Sequence, residues 1–319
     1  MRRFLRISQE AVFGVFPTSS PVQIEVRLDQ PDAFQVMTKP EFWTIMSGSG
    51  FAVQALFGSQ VSPLGATLSI PLDYAQAAFL LGWAGGIINT GQTSPWTTTE
   101  IAGDLASCSI EYGFTNTDGT LRRKRFLGCK IAAWGITCSR GAPVARLNLT
   151  IIGSTPQGNA FDASSDPTAG AFPQPADSVF PTTPLLFQHL KSGLTIGATS
   201  RSNFQSLGVN VTNRIKPYFD ESRFANLIRF NGRNTVLNGI SRLKATPDDR
   251  TAYESETVQA TNSVEWNNGT HTVTLTLNSQ CYFSSIGEQF PIDEEIYFAW
   301  ALQNQLDTTA TTDFTFAVT

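Results

Sequence analysis

The 319-residue sequence predicts a mostly β protein: two duplicated β-sandwich or small-barrel units, each with a short flanking α-helix. Three observations predict it. The first is a repeated phrase. Gly65–Gly82 (GATLSIPLDYAQAAFLLG) reads as an alternating strand, a proline that ends it, an aspartate two places on, and an apolar helical stripe. Gly239–Glu256 (GISRLKATPDDRTAYESE) repeats that order, with Pro247 standing for Pro71 and Asp249 for Asp73. Proline lacks the N–H that a ladder needs and suits the first turn of a helix, and aspartate accepts the orphan N–H groups there, so these four residues mark two strand-to-helix corners. The second observation is period-two alternation in short runs such as Val22–Leu28, Leu207–Thr212 and Thr272–Leu277, each the mark of a strand with one buried face. The third is a charged fraction of only 15%, with Thr, Ser, Asn and Gln filling many polar positions, as suits subunits that cover much of themselves with copies of themselves.

Taken in order, a short basic N-terminal arm leads to the strand at Val22–Leu28, and residues 29–63 form a long connection rich in aromatics. A free loop carrying Phe42, Trp43, Phe51 and Phe57 would expose an apolar patch, so residues 42–64 are expected to form an arm that contacts another subunit. Leu72, Ala75, Phe79 and Trp83 recur at spacings of three and four, which predicts a helix over Leu72–Trp83 with one face on a sheet. Strands follow at Ala106–Phe114, Arg125–Cys138 and Ala145–Gly153, the first two joined by a turn at Asp118-Gly119. Residues 154–184 are dense in Pro, Gly, Ser, Thr and Asp without either period, so they read as a linker or crossing loop between a first unit, 1–153, and a second, 185–319. The second unit is expected to hold strands near Gly193–Ala198, Leu207–Thr212, Thr235–Leu243, Val273–Phe283, Glu295–Leu302 and Asp313–Val318, with a short helix after Pro247.

Catalytic and metal chemistry find no footing. Cys108, Cys129, Cys138 and Cys281 match no zinc spacing and no disulfide framework, and buried free thiols are expected. His189 and His271 are the only imidazoles, each in ordinary context, and no Gly-x-Ser-x-Gly elbow or phosphate-cradling loop occurs. No catalytic, cofactor or metal residue is therefore assigned. The run Arg122–Arg125 sits on one limb of a hairpin and reads as a solvated or subunit-facing end. After Arg250 no Lys or Arg occurs, whereas nine acids do, among them Glu265, Glu288, Asp293, Glu294 and Glu295. Such an end would repel nucleic acid. No stretch reaches the length of a membrane span, and the N-terminal apolar runs are too short and broken for a signal peptide, so folding in a cytoplasm is expected.

The opening EAVFGVFP (Glu10–Pro17), the strand, proline and helix unit at Ala66–Gly82, and CSIEYGF…RFLGCKIAAWGIT…ARLNLTIIG between Cys108 and Gly153 resemble the major tail tube protein of long-tailed bacteriophages in a two-domain form. An echo in Phe204–Leu243 extends the resemblance over nearly the whole chain. It implies tail-tube β-sandwich or barrel domains that assemble into stacked rings around a lumen conducting DNA, in the virion tail, after assembly in the host cytoplasm. Six single-domain subunits would close such a ring, each sheet continuing into its neighbour's; two domains per chain favour a trimeric, pseudo-sixfold ring, with a hexameric ring if the second unit is not a true tube domain. Tape measure, tail terminator and tail tip proteins are the implied partners, with transient passage of DNA, no cofactor and no membrane. Within that frame Glu265, Glu288, Asp293, Glu294 and Glu295 are candidates for a net negative lumen. Two other readings stay open at this point: a virion adhesion or decoration protein with β-sandwich domains, and a carbohydrate-active enzyme on a β scaffold, which would need two carboxylates at catalytic separation.

Overall fold

The computed structural model describes residues 2–15, 17, 23–26, 28–30, 32–37, 42–46, 52–56, 64–88, 96–99, 103–115, 117, 121–139, 141–157, 188–201, 204–220, 225–242, 249–289, 297–305 and 312–319. In the first half these form β1 (Arg2–Gln9), β2 (Gln23–Val26), β3 (Phe34–Met37), β4 (Phe42–Met46), β5 (Ala52–Leu56), β6 (Leu64–Pro71), α1 (Tyr74–Gly85), β7 (Trp96–Thr99), β8 (Cys108–Thr115), β9 (Leu121–Ser139), β10 (Ala142–Gly153) and β11 (Thr155–Gln157). The second half adds β12 (Gln188–Ile196), β13 (Thr199–Arg201), β14 (Phe204–Tyr218), β15 (Leu227–Arg242), α2 (Asp249–Glu254), β16 (Asn262–Asn267), β17 (Thr272–Leu277), β18 (Cys281–Gln289), β19 (Tyr297–Asn304) and β20 (Phe314–Val318).

All pairings are antiparallel, and three blocks of strands make up the body. The largest runs β3-β6-β10-β9-β14-β15-β19-β18. A second, β2-β1-β8-β9-β11, shares β9 with it. The third is β7-β20-β17-β16-β12-β13. The β4–β5 hairpin stands as a separate two-stranded sheet. Strand β9 serves two blocks because it bends: residues 121–129 pair with β8, and residues 130–139 pair with β10. Gly128 makes the bend at φ +63°, where an added Cβ would lie 2.8 Å from the Phe13 ring and 2.9 Å from Ser154 Cβ. Only glycine meets both demands at no steric cost.

The apolar sides of the blocks face one another. Trp134 of the largest sheet meets Phe314 and Phe316 of the third block with ring centroids 5.4 and 5.5 Å apart, and all three are buried. Such rings bring both area and edge-on geometry to a core. Helix α1 completes this core. Its backbone starts from the Asp73 carbonyl, which accepts from Gln76 N–H and Ala77 N–H, and it ends at Gly86, at φ +97°. The sequence suggests one apolar face; in the structure Ala77, Ala78, Leu80, Leu81 and Ala84 are buried as well as Phe79 and Trp83. A helix apolar all round belongs inside, and this one lies among the three blocks, with Tyr74 stacked on His271 at 3.7 Å. Helix α2 is half as long as α1 and none of its residues is fully buried, in keeping with its charged sequence.

Several expectations are met with shifted bounds, and some elements are additional. The N-terminal arm is a full strand, β1, in register with β8 at eight positions. The single run expected over Val273–Phe283 divides into β17 and β18. The first residues of the expected linker form β11 against β9, and residues 158–187 lie outside the described residues, as does the Asp118-Gly119 turn.

All four cysteines are free and buried. Burial, and then the charge of Glu10, push the thiols of Cys108 and Cys129 well up, and burial pushes Cys281 up to about 12. At pH 8 Cys281 therefore holds on the order of a thousandfold less thiolate than a free cysteine. Titration with a thiol reagent at pH 8 is expected to find no reactive cysteine in the native chain and four after denaturation. Rapid native labelling would contradict this packing.

Candidate assembly face and subunit edges

The strand order of the largest sheet divides into two sets of four. Its first four strands are β3-β6-β10-β9 and its last four are β14-β15-β19-β18. In each set the second strand leads in sequence to a helix, β6 to α1 and β15 to α2. The sets meet where β9 pairs with β14 over seven register positions, from Ser139↔Ser206 to Ala133↔Thr212. Among the described residues the outer edges are β3, paired only with β6, and β18, paired only with β19 apart from a bridge between Gln259 and Cys281. Each edge presents unpaired backbone groups, a template for another strand.

Side chains alternate across a strand, so one face of this sheet carries the core and the other, among the described residues, is bare. On the bare face one row runs Ser69, Asn148, Gly135, Asn210, Val236, Gln303, Tyr282 across seven strands. The next row reads Thr67, Thr150, Ala133, Thr212, Asn234. Another runs Arg146, Thr137, Gly208, Asn238, Ala301. Among the described residues these rows hold no Asp or Glu. Ser69 Oγ donates to Asn148 Oδ1 at 2.6 Å, Asn210 Nδ2 to Asn238 Oδ1 at 2.9 Å, and Gln303 Nε2 to Asn234 Oδ1 at 3.1 Å. The amides lie flat because glycines stand opposite them. A Cβ on Gly135 would meet Asn210 Oδ1 at 2.7 Å and the Val209 carbonyl oxygen at 2.8 Å; one on Gly208 would meet Asn238 Oδ1 at 2.9 Å. Cations stand at the margins: Arg146 donates to Asp29 at 2.7 and 3.3 Å, and Arg214 and Lys216 lie toward the far end of β14.

Buried charges fasten the frame around this sheet. Glu10, in the opening EAVFGVFP, accepts from Ser109 Oγ at 2.7 Å, Gly128 N at 2.8 Å and Gly14 N at 2.9 Å. Three donors on one carboxylate repay its desolvation, and they hold Phe13 under the bend of β9. Lys130 Nζ donates to the Ile228 carbonyl at 2.6 Å and to Asp104 Oδ2 at 2.8 Å, and Asp104 also accepts from Phe230 N at 3.1 Å, so the two halves are bound by charge-assisted bonds. Arg125, the last of the basic run, is buried against Glu111 at 2.6 Å, with Arg6 Nη1 3.6 Å from the same carboxylate. The side chains of Arg122, Arg123 and Lys124 lie outside the described residues.

The residues singled out by sequence are scattered relative to the bare face. Phe42 and Trp43 fall on β4, in register with Leu56 and Ala55; Phe51 and Phe57 lie outside the described residues. Pro71 closes β6 and Asp73 is buried at the start of α1. Asp249 opens α2 and accepts from Arg201 at 2.7 Å, while Pro247 is outside the described residues. Glu265 is on β16 of the third block, and Glu288 faces α2, 3.2 Å from Arg250. Asp293, Glu294 and Glu295 are outside the described residues. Sequence reasoning passed over the Asn and Gly positions; the signal was the uncharged alternation in runs such as Asn210-x-Thr212 and Asn234-x-Val236-x-Asn238.

Residues 2–296 match a protein family described as phage tail tube protein. The chain belongs to the phage tail tube family. That membership gives the tail tube protein a structural role in the virion tail, in a family that is not one of enzymes, and implies self-assembly into a tube together with other tail proteins. No curated protein matches the chain. Among the described residues no cluster of His, Cys, Asp or Glu is arranged to hold a metal ion, and no helix is long and apolar enough to cross a membrane.

The two glycines of the tube protein's bare face make different demands. At Gly135 the obstacle is backbone, which cannot swing away; at Gly208 it is the end of a side chain. Gly135→Ala is expected to destabilise the chain by about 1–3 kcal/mol and Gly208→Ala by distinctly less, read from denaturant midpoints. Equal losses would mean that the sheets separate slightly under strain.

Proposed function

We propose that three copies of this chain close a ring, that rings stack into the tail tube, and that the tube conducts DNA. The observation that carries the reading is the tandem order of the largest sheet. Because β9 and β14 already join one four-strand set to the next, the same relation between copies would bring the β18 edge of one chain to the β3 edge of another. Each chain then supplies two sets, so three chains supply the six positions that the family resemblance implies. Repeating one junction by rotation generates a closed ring in which no edge stays open. Three eight-strand sheets make 24 strands, more than the 16 to 18 that leave an aqueous channel in barrels.

The β4–β5 hairpin supports the link between rings. A two-stranded sheet is marginal in water unless something covers it, and this one pairs with no other described strand. A neighbouring ring is its proposed partner, reached through Phe42 and Trp43.

Mass measurement of an isolated ring is expected to give three times the 34.7 kDa chain; a sixfold value would reject the trimer. Replacing Phe42 and Trp43 with serine is expected to leave a folded chain, with an unchanged denaturant midpoint, that no longer forms long tubes in electron micrographs. Tubes formed as readily as by the parent would remove the hairpin from ring stacking.

A further inference from the structure

We propose, on the basis of the tube reading, that the free end of the β14–β15 ribbon is a second arm of each chain, and that it docks by charge on the acidic end of a copy in the neighbouring ring.

Strand order points to the arm. β14 and β15 open the second set of four as β3 and β6 open the first. Between β3 and β6 the chain makes the β4–β5 hairpin. Between β14 and β15 it makes an extension of the two strands themselves, since β14 leaves β9 after Thr212 and stays paired with β15 as far as Tyr218↔Leu227. Both features arise at one end of the sheet. β6 starts at Leu64, in register with Gly153, and the next residue, Ser154, donates through its hydroxyl to the Ala225 carbonyl beside the ribbon. One side of the ribbon is packed: Asn213 and Ile228 are buried, and Lys130 Nζ donates to the Ile228 carbonyl at 2.6 Å. The other side displays Arg214, Lys216, Tyr218 and Arg229, all exposed.

That side carries unbalanced charge. Lys216 and Arg229 are register partners, and like charges directly opposite one another cost stability. The Tyr218 ring stands near both, its centroid 5.3 Å from Lys216 Nζ and 5.9 Å from Arg229 Cζ. Among the described residues none of Arg214, Lys216 and Arg229 has a carboxylate partner, and Asp220, toward the tip, is engaged by Asn226.

The opposite sign stands at the opposite end. β15 runs from the ribbon to Arg242, in register with Tyr297, and α2 follows it there, beside the end of β18. Glu254 and Glu288 share one guanidinium, that of Arg250, at 3.0 and 3.2 Å, and Glu256, two residues beyond Glu254, is exposed. Rings stacked in a single direction bring the ribbon end of one chain toward the α2 end of the next, cation to carboxylate. The two arms of a chain then differ in chemistry, because β4 and β5 hold no charged residue whereas the ribbon is cationic. A sixfold outline with alternating arms accepts only every second rotation, so charge sets how each ring is turned on the last.

Exposed ion pairs are individually weak, but each ring repeats them, so reversing both register partners is expected to raise the concentration at which tubes form by about tenfold or more. Lys216→Glu with Arg229→Glu is expected to fold and to close rings, read from the denaturant midpoint and ring mass, without long tubes in electron micrographs. Glu254→Lys with Glu256→Lys is expected to fail in the same way, and a chain carrying all four changes to regain tubes, a rescue that a merely structural role would not give. Tubes from the first variant at the parent's concentration would overturn the proposal, as would a four-site chain that folds and closes rings but makes no tubes. Salt gives a readout without charge reversal: tube formation by the parent is expected to fall as salt rises, and that of Lys216→Gln with Arg229→Gln to depend on salt distinctly less. Equal dependence would overturn the proposal. Isolated parent rings that retain short duplex DNA through these cations, and lose it in the Gln variant, would assign them to nucleic acid and overturn it too. Failure of the parent itself to form rings or tubes would strike the tube reading instead.

Discussion

The pairing of β9 with β14 is the constraint on which the rest of the molecule depends. It converts two four-strand sets into one sheet, and it removes two edges that would otherwise be free. Its geometry is demanding. Gly135 must remain without a side chain for the Val209 carbonyl and the Asn210 amide to approach, and Asn213 Nδ2 must reach the Ile131 carbonyl at 2.9 Å. Arg233 holds Asn213 from the other side at 2.6 Å and lies 5.0 Å from the Phe314 ring, so the junction is tied to the third block as well.

Buried charge fixes the arrangement more than it stabilises it. Burying Glu111 with Arg125, or Lys130 beside the half-exposed Asp104, costs desolvation that the attraction offsets only when geometry is good, so the net gain from such pairs is small. The loss on mispairing is large, because a single buried charge would remain. A shifted register of β8 on β9, or a displaced loop at Asp104, would leave such a charge behind. Hydrophobic burial around Trp134, Phe314 and Phe316 supplies the drive, and the charges select one arrangement from those the drive would tolerate.

How much of this was legible in the sequence differs by element. Strands such as β17 and β20 alternate with a buried face at every second residue, and the period was plain. The strand-to-helix corner at Pro71 and Asp73 was equally clear, since proline and aspartate act locally. Strand β1 was hidden because its basic start disguises the alternation of Leu5 and Ile7, whose burial depends on a partner about a hundred residues away. The full burial of α1 was hidden for a related reason: a stripe of Leu72, Phe79 and Trp83 reads the same whether the remaining faces meet water or other sheets. The bare face could not be read at all from local pattern. Asn148, Gly135 and Asn210 become a row only when three strands are aligned, and register is a property of the fold.

Duplication also changes how assembly proceeds. Within one chain the β9–β14 junction joins tethered partners, at an effective concentration set by the connecting segment, so it forms as the chain folds. In the proposed ring the β18–β3 junction joins separate chains and depends on their concentration. In that proposed ring of three chains, half of the sheet junctions would be complete before any two subunits meet. The edges that the proposed ring would join are unequal among the described residues: β3 has four residues and β18 has nine. A short edge is a poor template for unselective pairing, so a single copy is protected until the rest of the interface aligns it. In the proposed ring the same asymmetry would give the interface a direction, a β3 edge meeting a β18 edge and not another β3. Head-to-tail contacts of that kind close into rings when the rotation fits, and the fixed twist from β9 to β14 sets that rotation in advance.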